Sequence, residues 1–220
     1  MEPQFNCPIT MHRNGTCTVT FCVDFGNFTP DDFIIIAHLA KKYQVNTLSA
    51  TTSKRITFTD TPPEQVNPLW DALQNAFGDR LNPSNGKITA CIGNPLCRYA
   101  VEHLNASDLA KEIARLTLEY PACKMKIAIS NCPRSCSNTH VRDISITAVA
   151  NGWKLAVGGN GGVCPGLSQT IASGLSEDEL LQLIRRFYAY VQEHALENER
   201  SIHMVRRIGF EQVKAALLAE

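Results

Sequence analysis

The stretch "SNCPRSCSNTHVRDISI", residues 130–146, places Cys132 and Cys136 three residues apart in a loop rich in Asn, Ser and Pro. Alternating apolar and polar residues precede it in "KMKIAIS" (124–130) and follow it in "DISITAVA" (143–150). Both flanking patterns predict β-strands. We therefore expect both cysteines in a loop that leaves the end of a sheet strand.

A second cysteine pair occurs earlier in the chain, in "ACIGNPLCRYA" (90–100). Cys91 directly follows the predicted strand "KITA" (87–90), and five residues separate it from Cys97. If the two strands are neighbours, their loops meet at one end of the sheet. Two loops with two thiolates each could then form a four-cysteine metal site.

Three interpretations of the four cysteines stay open on spacing alone. Structural zinc sites favour cysteines two to four residues apart, which the wider pair fits poorly. An iron–sulfur cluster is larger, accepts wider loops, and benefits from N–H groups that Asn, Ser and Gly leave free. Unrelated buried thiols are the third interpretation.

The composition predicts a soluble cytoplasmic protein. The 220 residues are 44% hydrophobic and 19% charged, with a formal net charge of zero, which gives no electrostatic reason to expect nucleic acid or a membrane as partner. The start "MEPQFNCPITMHRNG" lacks the pattern of a signal peptide. Nine cysteines without a secretion signal favour metal binding or redox chemistry over disulfides.

The first part of the chain predicts a β-α-β-β-α order. A strand is expected over 16–25, and Thr29 and Pro30 open a helix through "FIIIAHLAKKY". Short strands follow in "TLSATT" and "RITFTD", and a second helix runs towards Phe77, with Pro68 as a potential kink. The Gly-, Asn- and Pro-rich stretch 78–87 predicts a linker.

The second part predicts a mixture of strands and helices. A helix around 107–119 presents Leu109, Ile113, Leu116 and Leu118 at helical spacing. "DISITAVA" and "WKLAVGG" form a hairpin at Asn151-Gly152. "SEDE" (176–179) caps a long helix towards residue 196, and a last helix covers about 209–219. The fold class expected is α+β.

The two cysteine loops resemble those of the nitrite/sulfite reductase family, and the chain is similar to its small assimilatory-type members. The resemblance implies that Cys91, Cys97, Cys132 and Cys136 bind a [4Fe-4S] cluster, and that Cys136 also bridges to the iron of a sirohaem. Asp143-Ile144 matches the acidic-apolar end of the same motif. Asn131 and Ser145 depart from the family pattern, since glycine is usual at the first and Gly, Ala or Thr at the second.

The resemblance extends over about residues 16–219. "TVTFCVDFGNFTPDDFIIIAHLAKKY" and "TLSATTSKRITF" are similar to the family's ferredoxin-like half-domain, "KLAVGGNGG" to its glycine-rich strand end, and "ERSIHMVRRIGFEQVKAAL" to its C-terminal tail. This implies a ferredoxin-like half-domain at 8–80, followed by a mixed α/β 4Fe-4S and sirohaem-binding domain at 85–220. The chain resembles one half of the long, two-half enzymes of the family.

An anionic substrate and the carboxylates of sirohaem require cationic side chains. The candidates are Arg98 and Arg134, which adjoin cluster cysteines, and Lys54, Arg55, Lys124, Lys126 and Arg142. Gly159 and Asn160 are candidates for a backbone wall against the macrocycle. The alternatives are solvated surface charges and an ordinary glycine turn. Cys164 and His140 are interpreted as packing residues.

The function implied is the six-electron reduction of sulfite to sulfide, with electrons from an external ferredoxin or flavin reductase. Reduction of nitrite to ammonia is the alternative within the family. A haem-less iron–sulfur electron carrier and a zinc-stabilised binding module are the other hypotheses. No residue distinguishes the two anions, and a homodimer that supplies the missing half's residues stays an open arrangement.

Overall fold

The computed structural model describes residue 7 and residues 9–81, 88–121 and 125–219. The chain divides into two compact units, residues 1–86 and 87–220. Each unit has its own sheet, of four strands in the first and five in the second. Segregated antiparallel and mixed sheets with helices confirm the α+β prediction.

The first unit is an antiparallel sheet with two helices. Its strand order is β1-β2-β4-β3. Buried side chains of β2, β4 and both helices form its core. Its elements are β1 (Ile9–Met11), β2 (Cys17–Phe21), α1 (Pro30–Lys42), β3 (Thr47–Ala50), β4 (Ile56–Thr61) and α2 (Pro63–Phe77).

The start of α1 follows from local chemistry. The Thr29 side chain accepts from the Asp32 N–H at 3.2 Å, and the Asp32 carboxylate accepts from the Thr29 N–H at 2.7 Å. This reciprocal pair satisfies two N–H groups that the helix leaves free. Arg80 then donates to both Asp32 carboxylate oxygens, at 2.9 and 2.7 Å. The predicted helix start is confirmed.

The first predicted strand is shorter in the structure, and a further strand precedes it. The strand expected over 16–25 ends at Phe21, because Asp24–Gly26 forms a short 3-10 helix in which Phe25 has a φ of 57°. The additional strand β1 pairs with β2. Its three residues are too few to show an alternating pattern. Pro68 lies within α2, which continues to Phe77.

The second unit is a mixed sheet in the strand order β5-β6-β7-β8-β9. The pairs β5/β6 and β6/β7 are parallel, and β7/β8 and β8/β9 are antiparallel. Its elements are β5 (Ile88–Ala90), α3 (Ala106–Thr117), β6 (Ile127–Ser130), β7 (Ile144–Val149), β8 (Gly152–Val157), β9 (Gln169–Leu175), α4 (Glu177–His194), α5 (Ser201–Ile208) and α6 (Phe210–Leu218).

The two parallel connections differ in kind. Helix α3 joins β5 to β6 and packs against both strands. The stretch 131–143 joins β6 to β7 with only a short 3-10 helix, Thr139–Val141. A parallel connection must return to the opposite end of the sheet, which takes about a dozen residues. The cysteine stretch quoted first is therefore itself a crossover between parallel strands.

Several local predictions for the second unit are corrected. All four residues of β6 are buried, so the strand is covered on both faces rather than on one. Leu118, expected on the buried stripe of α3, is the helix C-cap and is 59% exposed. Strand β9 and helix α5 were missed. The hairpin at Asn151-Gly152 and the capping box at Ser176 and Glu179 are confirmed.

Candidate iron–sulfur site

Cys91 and Cys132 lie at the same edge of the second sheet. Ala90 of β5 pairs with Ile129 of the parallel strand β6, so both strands end side by side. The Cys91 N–H donates to the Ile129 carbonyl at 3.0 Å, and the Asn131 N–H donates to the Cys91 Sγ at 3.0 Å. Both cysteines are buried. The prediction that neighbouring strands bring the two loops together is met for these two residues.

Cys97 and Cys136 lie further along the two loops. The Cys97 N–H donates to the Gly93 carbonyl at 2.9 Å, which closes a turn between Cys91 and Cys97. Cys97 is partly buried, whereas Cys136 is exposed. Ser135, the residue before Cys136, has a left-handed φ of 57°. The exposed Cys136 thiol is thus the most accessible of the four.

A layer of buried hydroxyl groups supports the loop that carries Cys136. The Ser137 N–H donates to Ser130 Oγ at 3.3 Å, and the hydroxyls of Ser135 and Thr139 lie 2.6 Å apart. The Ser145 hydroxyl donates to the Thr139 carbonyl. Ser145, a departure from the family motif, therefore has a local role in anchoring the crossover. The buried Ser137 hydroxyl has no hydrogen-bond partner among the residues that the structure describes.

Arg98 and Arg134 converge on one aromatic ring, that of Tyr99. The guanidinium carbons lie 4.7 Å (Arg98) and 3.8 Å (Arg134) from the ring centroid. Arg98 also donates to the Tyr99 hydroxyl at 2.5 Å. The ring links two cations that belong to different cysteine loops, and it stabilises both by cation–π attraction. Sequence reasoning selected both arginines but not Tyr99, because no spacing rule marks a ring shared by distant residues.

Lys54 and Arg55 lie in the first unit, in the connection between β3 and β4. The Thr51 N–H donates to the Arg55 carbonyl at 2.8 Å, and the Arg55 N–H donates to the Thr51 hydroxyl at 3.1 Å. Lys54 has a left-handed φ of 57°. The Arg55 Nε is buried and has no hydrogen-bond partner within the described part of the chain. A buried guanidinium N–H without an acceptor costs free energy in the folded state.

Gly159 and Asn160 follow β8, whose last residue pairs with the first residue of β7. They therefore lie at the sheet end opposite to Cys91 and Cys132. A Cβ on Gly159 would lie 2.6 Å from the Arg142 carbonyl oxygen and 2.7 Å from its nitrogen. The Asn160 side chain donates to the Cys164 carbonyl at 2.9 Å. Close packing on the crossover explains the glycine independently of any cofactor.

Two of the remaining charged candidates, Arg142 and Lys126, take part in hydrogen bonds through their backbone N–H groups. Arg142 donates its backbone N–H to the Thr139 carbonyl at 3.3 Å, and the Lys126 N–H donates to the buried Asp143 carboxylate at 2.8 Å. Asp143 also accepts from Arg200 at 2.8 Å. Lys124 lies outside the residues described. The Asp143-Ile144 pair of the motif thus anchors the start of β7.

Cys17 and Cys22 are buried thiols of the first unit and Cys7 is partly buried, whereas Cys164, expected from the sequence to be a packing residue, is exposed. Burial raises the pKa of Cys22 to about 11, and burial likewise raises that of Cys7 to about 11. A thiol with so high a pKa stays protonated near neutral pH and is a poor ligand or nucleophile. Across the described ranges, no three His, Cys, Asp or Glu side chains are grouped so that they could hold a single metal ion. Metal analysis would test the zinc hypothesis.

Comparison with known proteins identifies the class. The model of the nitrite and sulphite reductase 4Fe-4S domain matches residues 82–220, and that of the nitrite/sulfite reductase ferredoxin-like half domain matches residues 10–76. The chain therefore belongs to the nitrite and sulfite reductase family, which is a family of oxidoreductases. The match to its 4Fe-4S domain is evidence for an iron–sulfur cluster in this chain. The expected half-domain followed by a mixed α/β domain is confirmed.

Individual relatives include both kinds of reductase. A "Sulfite reductase, assimilatory-type" of Nitratidesulfovibrio vulgaris is 30% identical over 88% of this chain and 88% of its own length. A "Nitrite reductase [NAD(P)H]" of Bacillus subtilis is 26% identical over 94% of this chain. This chain spans only 26% of that relative's length. The similarity to the sulfite reductase thus extends over most of both proteins, whereas the similarity to the nitrite reductase covers only part of that relative.

Two solved structures share the fold. The Mycobacterium tuberculosis NirA protein superposes with a TM-score of 0.76 at 20% identity, covering 96% of this chain and 42% of that one. Dissimilatory sulfite reductase I also gives a TM-score of 0.76, at 10% identity over 93% of this chain and 69% of that one. In the part of the chain that the structure describes, no helix has the length and apolar composition needed to cross a membrane.

Proposed function

We propose that this protein reduces sulfite to sulfide in a six-electron reaction, using a [4Fe-4S] cluster coupled to a sirohaem. The observation that carries the proposal is the similarity to an assimilatory-type sulfite reductase over 88% of both chains. Nitrite reduction is the second candidate, favoured by the nitrite reductases among the relatives. In this proposal residues 8–80 form the half-domain and residues 85–220 hold both cofactors.

The cysteine set fits an iron–sulfur cluster in its donor chemistry. Four thiols are the usual ligand set of such a cluster. Cys91 already accepts a backbone N–H at its Sγ, 3.0 Å away, which is the kind of contact that stabilises a thiolate. Cys91, Cys97, Cys132 and Cys136 would hold the cluster, and Cys136 would also be the ligand shared with the sirohaem iron. When bound, these groups supply single-electron transfer and the iron at which the anion is reduced.

The cationic side chains would bind the anion and the sirohaem carboxylates. Arg98 and Arg134 are oriented by Tyr99, so they lose little conformational freedom on binding. Arg55 offers a buried Nε–H without a partner in the described residues. As the family resemblance implies, Lys54 would be a further cationic ligand, and Gly159 and Asn160 would form a backbone wall against the sirohaem macrocycle. Guanidinium groups suit these ligands because they donate two parallel hydrogen bonds to oxyanions.

Electrons would come from a separate protein. The glycine-rich stretch "GGNGG" (158–162) is not a dinucleotide fingerprint, since it has neither the required spacing nor a following helix. Relatives are named for two donor types, NAD(P)H and ferredoxin. A ferredoxin or a flavin reductase is the donor proposed for this protein, in a cytoplasmic setting. A homodimer is the assembly that would supply the residues of a second half.

The test is steady-state turnover of sulfite and of nitrite, with electrochemically reduced methyl viologen as the donor. Dithionite is avoided because its oxidation releases sulfite. We expect kcat/KM for sulfite to exceed that for nitrite, with sulfide as the product. A preference for nitrite would support the second candidate. Turnover of neither anion by protein that holds cluster and sirohaem would overturn the proposed function.

A further inference from the structure

Asn131 is a buried amide between β6 and Cys132, with 1% of its surface exposed. Its Oδ1 accepts from the Ala106 N–H at 2.6 Å, at the start of α3. Its Nδ2 donates to the carbonyls of Val101 and Leu104 at 3.1 and 3.0 Å. One acceptor and two donors are thus all engaged, which holds the side chain in one orientation.

The main chain of Asn131 makes two further contacts. Its N–H donates to the Cys91 Sγ at 3.0 Å, and its carbonyl accepts from the Val101 N–H at 2.9 Å. The residue therefore adjoins Cys132, contacts Cys91, and is bonded to the segment that follows Cys97. Asn131 thus joins Cys91 and Cys132 to the segment that follows the first cysteine loop.

The Asn131 side chain packs against a glycine of the first cysteine loop. Gly93, in the first cysteine loop, has a left-handed φ of 56°. A Cβ on Gly93 would lie 2.8 Å from Asn131 Oδ1, closer than side chains normally approach. The first cysteine loop is thus packed directly against the amide. Movement of the amide would be transmitted to the loop that connects Cys91 and Cys97.

We propose that Asn131 is a positioning residue for the cluster: its side chain fixes the 131 peptide so that the N–H remains directed at the Cys91 sulfur. This inference rests on the proposed function, since it needs the cluster to be present. An N–H donor stabilises negative charge on sulfur, and the reduced cluster carries one more negative charge than the oxidised one. The contact therefore raises the reduction potential of the cluster and slows the release of the cluster from the protein.

The side chain can be removed without removing the peptide. Asn131→Ala and Asn131→Gly keep the backbone N–H but release the Ala106 N–H and the two carbonyls. Asn94 Nδ2 lies 2.7 Å from the Val101 carbonyl and 2.9 Å from that of Leu104, so both retain a donor. Asn105→Ala is the matched control. It removes the N-cap of the same helix, α3, where the Asn105 side chain accepts from the Ser107 and Asp108 N–H groups rather than from the peptide beside a cysteine.

The measurements are the midpoint potential of the cluster, from an EPR-monitored redox titration, and the rate of iron release to a ferrous chelator. For both Asn131 variants we expect a more negative potential and iron release faster by about tenfold or more. Asn105→Ala should keep the wild-type potential and lose iron at nearly the wild-type rate.

Several outcomes would overturn the inference. Asn131 variants with the wild-type potential and with iron release no faster than in Asn105→Ala would refute the positioning role and leave the proposed function intact. Failure of both Asn131 variants to fold, while Asn105→Ala folds, would assign Asn131 to the fold instead. Folded wild-type protein that holds no iron and no sulfide after anaerobic reconstitution would refute both the proposed function and the role of Asn131.

Discussion

The Arg134 guanidinium lies 3.8 Å from the ring centroid of Tyr99, although the two residues belong to different cysteine loops. Arg98 lies over the same ring at 4.7 Å. The arginines of the two cysteine loops are therefore held by one aromatic side chain.

Replacing Tyr99 should weaken anion binding. Tyr99→Ala removes the ring that orients both arginines. We expect KM for sulfite to rise about two- to fivefold, which corresponds to the free energy of a solvent-exposed cation–π contact. Tyr99→Phe retains the ring and should have a KM close to that of the wild type. Tyr43→Ala is the control, since Lys42 lies over the Tyr43 ring at 5.2 Å in the first unit. A wild-type KM in Tyr99→Ala would show that the ring does not orient the binding groups.

Loss of a loop cysteine should remove the cluster. Cys91→Ser and Cys132→Ser should each retain less than about half of the wild-type iron and acid-labile sulfide, because a hydroxyl is a poor substitute for a thiolate ligand. Cys164→Ser changes an exposed cysteine outside both loops and should retain the full amount. The measurement is iron and sulfide per chain after anaerobic purification. Equal iron in all three variants would exclude these ligands.

Asp32 should make the stability of the first unit depend on acidic pH. Hydrogen bonds from Arg80 are the main cause that lowers the pKa of Asp32 from 3.8 to about 2. The folded state thus favours the ionised carboxylate. This contribution is complete above the ordinary value, falls as the pH drops from about 4 to about 2, and is absent below that.

Asp32→Asn should accordingly reduce the free energy of unfolding by about 1–2 kcal/mol at pH 6, after allowing for the partial exposure of Arg80. The difference from the wild type should vanish near pH 2. Urea unfolding at a series of pH values measures it, and Asp31→Asn, at an exposed neighbour, is the control. A difference that stays constant down to pH 2 would show that ionisation of Asp32 is not its source.

Gly159 should not tolerate a side chain. A Cβ there would lie 2.6 Å from the Arg142 carbonyl oxygen, so Gly159→Ala must displace the crossover backbone and should cost about 1–3 kcal/mol. Gly162→Ala is the matched control in the same stretch, because the nearest atom to its Cβ would be in the Asn160 side chain, at 3.3 Å. Thermal unfolding of both variants checks this. Equal melting temperatures would mean that the backbone at Arg142 yields easily.

Local patterns predicted much of the fold. The helix start at Thr29, the hairpin at Asn151-Gly152 and the capping box at Ser176 were readable because each depends on neighbouring residues alone. Strand β9 does not stand out in the sequence because only one of its seven residues is buried and it includes Gly174. Burial of both faces of β6 could not be read from alternation, since it depends on how α3 and the crossover cover the sheet.

The candidate site was predictable only in part. The spacing of cysteines after strands identified the two loops, because parallel neighbours end at one edge of a sheet. The ring of Tyr99 and the contacts of Asn131 were not predictable, because each joins segments about 30 residues apart through side-chain packing. Asn131 stood out in the sequence as a departure from the family motif, but its five hydrogen bonds emerge only in the folded structure.

The most direct test of the account is an absorption spectrum of anaerobically purified protein, with iron and acid-labile sulfide quantified on the same sample. A cluster coupled to a sirohaem predicts tetrapyrrole bands together with about five irons and about four sulfides per chain. About four irons without tetrapyrrole bands, unchanged after reconstitution with sirohaem, would contradict the proposed reductase and indicate an electron carrier. Zinc in place of iron and sulfide would contradict the iron–sulfur site itself.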